Sequence, residues 1–179
     1  YNPWYAGPKR YGGALPPLPD QLILMEKRNY RYDVRKGSGH FYVISDKFEK
    51  CLSKIKHSFS EVKAVDCVDD NGNPRVERIV FVAIPKKFKV EICLDPSRSK
   101  LISPRGIECD SLHFKEEWDF DLFDILGISS SQASLICSEE AKKIFEDHGI
   151  RCIKYIQLSD INASMLPHVN ELYRPVGFY

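Results

Sequence analysis

The sequence predicts an α+β fold: a mixed β-sheet with two similar strand–helix–strand halves and an extended N-terminal arm rich in proline and aromatic residues. Three observations carry this expectation. A serine placed to cap an amphipathic helix follows a short apolar run twice, at Ser45 and Ser138, an offset of 138 − 45 = 93 residues. Two β-patterned runs bracket an Asn-Gly turn, the strongest short-range hairpin signal. The opening stretch carries Pro3, Pro8, Pro16, Pro17 and Pro19, which bar both helix and central strand.

Residues 1–36 read as the arm, lying on the core or on a partner, with Trp4 and Tyr5 among its aromatics. Residues 37–179 read as one domain that contains pseudo-repeats at about 40–68 and 133–158. "HFYVIS", His40 to Ser45, is a strand ending at an N-cap, and Phe48, Cys51, Leu52 and Ile55 follow at helical spacing as one buried stripe. "VKAVDCV" (Val62 to Val68), the turn "DDNGNP" and "RIVFVAI" (Arg78 to Ile84) make a hairpin. "KFKVEICLD" (Lys87 to Asp95) alternates as a strand should. In the second copy "SLIC" is the strand, Ser138 the cap, and Ala141, Ile144 and Phe145 the buried stripe. Gly149 ends that helix, His148 offers a cation to its negative end, and "IRCIKYIQL" (Ile150 to Leu158) is the following strand.

A chain of 179 residues with 43% hydrophobic residues can close a real core. Lys and Arg number 26 against 25 Asp and Glu, so no global field draws the molecule to nucleic acid or to an anionic membrane, and a charge-driven partner must read a local patch. No apolar run is long enough for a membrane-spanning helix, and the first residues lack the apolar core of a signal peptide. The six cysteines, Cys51, Cys67, Cys93, Cys109, Cys137 and Cys152, include no C-x-x-C pair and sit mostly among aliphatic residues. They read as reduced core thiols, which points to the cytoplasm.

Reactive spacings are scarce. "GSGH" at Gly37 to His40 lacks the third glycine and the Lys-Ser/Thr of a phosphate loop, and the five histidines are scattered. Neither a cofactor nor a resident metal is expected. The best enzymatic reading is a Mg²⁺-dependent nuclease using Asp46 with Glu61 and Lys63, two positions apart on one strand face. Against it, such charges are ordinarily the wet face of a strand, and Asp46 suits the first turn of a helix. The stretch "ECDSLHFKEEWDFDLFD", Glu108 to Asp124, interleaves carboxylates with Phe114, Trp118, Phe120 and Phe123. It is either a solvated edge over a core or a docking surface for a basic protein, with Trp118 as anchor among Glu116, Glu117, Asp119 and Asp121.

The run from Lys89 to Leu158, with "KVEICLDPSRSKLI", "LHF", "DFDLFDILG" and "ASLICSEEAKKIFEDHGIRCIKYIQL", resembles the bacterial polymorphic-toxin immunity proteins of families eleven and forty-three. The matching positions are Leu94, Asp95 and Ser97 or Ser99; Leu122 and Phe123; and Ser138 through Tyr155. The likeness extends over about Gly39 to Leu158. It implies a small cytoplasmic antidote, encoded beside a secreted toxin, that binds the toxin domain and blocks its active site or substrate entry without turnover. The partner so implied is a protein, with Trp4 and Tyr5 as further contact candidates. A generic protein-binding adaptor on the same fold is the other non-catalytic reading.

Overall fold

The computed structural model describes residues 18–26, 32–37, 41–76, 79–99, 101–103, 106–109, 112–125 and 135–155. Its helices and mixed sheet make an α+β fold. The chain divides into two compact units.

The first unit holds a five-stranded sheet in the order β1-β4-β5-β3-β2, from β1 (Ile23–Met25), β2 (Val34–Lys36), β3 (Tyr42–Ser45), β4 (Phe59–Val68) and β5 (Val80–Pro85). β1 runs parallel to β4, and every other pairing is antiparallel. Two of these strands come from the region read as an arm: beyond the prolines, "ILM" and "VRK" dock as the two sheet edges. The expected hairpin is β4–β5. Its turn is set by Asp69, whose Oδ1 accepts the backbone N–H groups of Asn71 and Asn73 at 2.9 and 2.8 Å, with Gly72 at φ 83° where a side chain would be strained. One core cluster joins Tyr32, Val43, Cys67 and Val80, and another joins Leu18, Val82 and Ile84.

Helix α1 (Asp46–Leu52) packs on β3 and β5 and against α3 (Glu139–Asp147). Both begin as the repeat predicts: the Ser45 hydroxyl accepts from Phe48 N and the Ser138 hydroxyl from Ala141 N. The stripes Phe48, Cys51 and Leu52, and Ala141 and Phe145, are buried, and the rings of Phe48 and Phe145 stack at 4.9 Å.

α3 ends against its own dipole, with acidic Glu146 and Asp147 and no basic residue in its last turn. The compensating charge comes from α1 and the turn that follows it. Lys47 Nζ donates to the Gly149 carbonyl at 2.6 Å, and Lys54 Nζ meets His148 Nε2 at 2.7 Å, while His148 Nδ1 lies 2.8 Å from the Ile144 carbonyl. A carbonyl only accepts, so in that contact Nδ1 carries the proton and Nε2 faces the lysine. Lys54 thus adds a positive charge beside His148 at that helix end. Lys47→Met is expected to lower stability by about 1 kcal/mol, read from the shift in urea midpoint, by uncovering that helix end.

Over the described residues two expected strands do not form as the sequence suggests. Over 87–95 only β6 (Lys87–Phe88) is extended, pairing parallel with Asp124 and Ile125 of β9 (Leu122–Ile125), and the chain then turns into the short helix α2 (Val90–Cys93). Alternation specifies an exposed and a buried face, but a strand also needs a partner, and this pairing spans two residues. Over 150–155 there is no strand either. Gly149 at φ 57° and Cys152 at φ 67° interrupt an extended course, and the Arg151 backbone is bonded to Asp33 instead of to a ladder. The remainder of that expected strand, 156–158, lies outside the described residues.

The second unit includes β6, α2 and the antiparallel pair β7 (Leu101–Ser103) and β8 (Gly106–Cys109). The "LD-x-S" segment is a side-chain-bonded turn: Asp95 Oδ1 accepts from Ser97 N at 2.9 Å and from Ser97 Oγ at 2.6 Å. Ser99 Oγ donates to the His113 carbonyl and accepts from His113 N, both at 3.0 Å. Among the described residues no helix is long and apolar enough to cross a membrane.

Candidate functional site

The acidic-aromatic stretch divides by role. In the second unit, residues after the Leu94–Phe114 bridge form a turn in which Lys115 N donates to the Cys93 carbonyl and Trp118 N to the Lys115 carbonyl, each at 3.0 Å. Trp118 is half-buried, its ring edge-on to buried Phe88 at 4.8 Å and 87°. The tryptophan therefore pins the turn onto the unit, and the carboxylates of Glu116, Glu117 and Asp119 stand exposed around it. Lys115, the one Lys or Arg between Glu108 and Asp124, donates its ammonium to the Glu91 carbonyl at 3.0 Å. It is drawn onto the helix that also exposes Glu91 and Ile92. The result is a face of carboxylates with an exposed isoleucine on the neighbouring helix.

Asp121 does something else. In the first unit its Oδ1 accepts from Ser138 Oγ at 2.8 Å and its Oδ2 from Lys56 N at 2.9 Å, while its backbone N–H donates to the Lys56 carbonyl at 2.7 Å. Oδ1 is committed to the second helix cap and Oδ2 to the segment after α1, which separates Asp121 from the docking candidates.

The same arrangement occurs at Asp33, which sequence reasoning missed. Its Oδ1 accepts from Ser45 Oγ at 3.0 Å, its Oδ2 from Arg151 N at 2.8 Å, and its backbone N–H donates to the Arg151 carbonyl at 3.4 Å. Ser45 N donates to the Asp33 carbonyl as Ser138 N does to that of Asp121. The duplicated caps are thus closed by duplicated aspartates. Each aspartate grips the segment that follows the other half's helix: Asp33 takes Arg151 beyond α3, and Asp121 takes Lys56 beyond α1. An aspartate ahead of each cap serine was the available signal, but the partners are 12 and 17 residues apart with no common spacing. Burial opposes the charge on Asp33, yet the Arg151 side chain and backbone, the Ser45 hydroxyl and the nearby guanidinium outweigh it and hold the carboxyl below its ordinary value.

The nuclease candidates are each engaged elsewhere. Asp46, in the first turn of α1, pairs with Lys50 at 3.3 Å. Both Glu61 oxygens accept from Leu18 N, at 3.2 and 3.1 Å. Lys63 donates to the Pro19 carbonyl at 2.8 Å and sits 3.6 Å from Asp20. Glu61 and Lys63 together fasten the chain entering the sheet. Among the described residues no three His, Cys, Asp or Glu side chains are grouped to hold a metal ion.

Cys51, Cys67 and Cys93 are buried, Cys137 is half-buried and Cys152 exposed, and none of these is disulfide-bonded. Burial raises the Cys51 and Cys93 thiols and pushes Cys137 up to about 11, so these three stay protonated and poorly nucleophilic at neutral pH. His57 is shifted down by burial, and its Nδ1 accepts from Phe59 N at 3.2 Å. Trp4 and Tyr5 lie outside the described residues. No protein-family model matches the chain, and a search of the curated proteins finds no match.

Proposed function

We propose that this chain is an immunity protein, a cytoplasmic antidote that binds the secreted toxin encoded by a neighbouring gene and blocks the toxin's active site or substrate entry. The observation that carries the reading is the turn 115–119, where Trp118 is spent on packing and Glu116, Glu117 and Asp119 are presented to solvent with Lys115 folded back. A surface of this kind suits a basic cleft, where opposite charge speeds encounter and orients docking. An enzyme acting on an anionic substrate has such a cleft, and the carboxylates would occupy it in place of that substrate. The resemblance over Lys89 to Leu158 supports the same class. So does the side-chain chemistry, since the carboxylates of Asp33, Asp46, Glu61 and Asp121 are taken up by structural contacts and burial keeps the thiols of Cys51, Cys93 and Cys137 protonated. Trp4 and Tyr5 remain secondary contact candidates.

Co-expression with the neighbouring gene's product tests the function: cells carrying this chain survive, and cells carrying an unrelated protein do not. The surface is tested by changing Glu116, Glu117 and Asp119 together to lysine and measuring toxin affinity against salt. We expect affinity to fall by about a hundredfold at low salt, with a flatter salt dependence. Unchanged affinity removes this face from the interface.

A further inference from the structure

The two aspartate clasps differ in one respect. Lys56 closes on Asp121 through its backbone alone, and its ammonium turns over the Phe120 ring, 5.2 Å from the centroid. Arg151 closes on Asp33 through the equivalent backbone N–H and also donates its side-chain Nε at 3.1 Å. The twin shows that a clasp closes without a side-chain cation, so the guanidinium is surplus to closure.

What the extra contact fixes is orientation. A guanidinium presents five N–H donors on a rigid plane, and engaging Nε leaves the end-on edge, Nη1 with Nη2, which matches the two oxygens of a carboxylate. Among the described residues neither Nη has a partner. The Arg151 side chain is 54% exposed and the Asp33 side chain that holds it only 3%. Cys152, which follows, is the one non-glycine residue at positive φ among those described, at 67°, a strained conformation that recurs where side chains are aimed for a purpose.

The geometry points to Arg151 as the anchor of a carboxylate-binding site, its end-on fork taking one carboxylate group. The local charge favours a single carboxylate over a polyanion. At the end of α3 Lys47 and Lys54 are engaged with Gly149 and His148 and Arg151 with buried Asp33, and the last turn itself exposes Glu146 and Asp147, so charges of both signs are mixed there and nothing singles out a polyanion. Short-range bidentate recognition is what remains. This site goes beyond the acidic turn and does not depend on the function proposed for it.

The test uses the full ¹⁵N-labelled chain titrated with sodium acetate and, separately, with inorganic phosphate, at ionic strength held constant with chloride. The Arg151 Nε–Hε and Cys152 amide signals are followed. The expected result is a saturable response to acetate with half-saturation below about 0.1 M, lost in Arg151→Lys, which keeps the charge without the fork, and in Arg151→Gln. Unchanged amide signals of Phe48 and Ala141 report that both variants keep the capped helices. A linear acetate response, or one retained in both variants, overturns the site. Phosphate binding tenfold or more tighter than acetate at these signals overturns the carboxylate assignment.

Discussion

Phe145→Ala and Phe48→Ala are each expected to lower stability by about 4 kcal/mol, measured by urea denaturation monitored at the helices. The two rings are 1% exposed and stack on each other at 4.9 Å with planes 19° apart, so each forms part of the other's environment. Deleting one removes its own burial and leaves a void lined by its partner, Ile44 and Cys51 being among the fully buried side chains of the same unit. Because each void is lined by the other ring, the double variant should cost less than the sum of the singles, by about 1 kcal/mol. Additive losses would mean that the helices are held mainly by their contacts with the sheet.

Asp33→Ala is expected to cost about 3 kcal/mol, and the loss should depend on pH. The substitution strips a buried carboxylate from the Ser45 hydroxyl, from Arg151 N and from Arg151 Nε, leaving the first cap serine and the segment beyond α3 without their common acceptor. The native carboxyl is held below its ordinary value of 3.8, so the unfolded chain takes up its proton first as pH falls. Its contribution is therefore complete above about pH 5, declines as pH drops past the ordinary value and is gone below the lowered native one. Wild-type stability should fall between about pH 5 and 3, and Asp33→Asn should flatten that fall while being less stable than wild type at pH 7. Equal acid sensitivity in the two proteins would show that Asp33 is not the group responsible.

What could be read in advance was whatever is encoded locally. Ser45 and Ser138 sit at fixed spacing from the amides they cap, Gly149 stands where a left-handed residue ends a helix, and Asn71-Gly72 turns a hairpin whose strands are adjacent in sequence. The aspartates that complete the caps were invisible because Asp33 reaches Arg151 across 118 residues and Asp121 reaches Lys56 across 65, distances at which no periodicity operates. Strands β1 and β2 escaped notice for a related reason: three residues each, they exist through β4 and β3 rather than through their own pattern. The alternating run after Lys87 misled in the opposite sense, offering a strand pattern with only Asp124 and Ile125 to pair against. At the candidate site the composition singled out the stretch but could not sort its residues. Only three-dimensional contacts divide Trp118 and Asp121, which hold structure, from Glu116, Glu117 and Asp119, which face solvent.

Calorimetric titration of the purified neighbouring gene product with this chain, followed in the same samples by assay of the toxin's activity, tests the proposed antidote most directly. The account predicts saturation at one chain per toxin, with residual activity falling in proportion to the fraction bound and vanishing at equivalence. Absence of binding heat, or toxin activity that persists in the saturated complex, would contradict it.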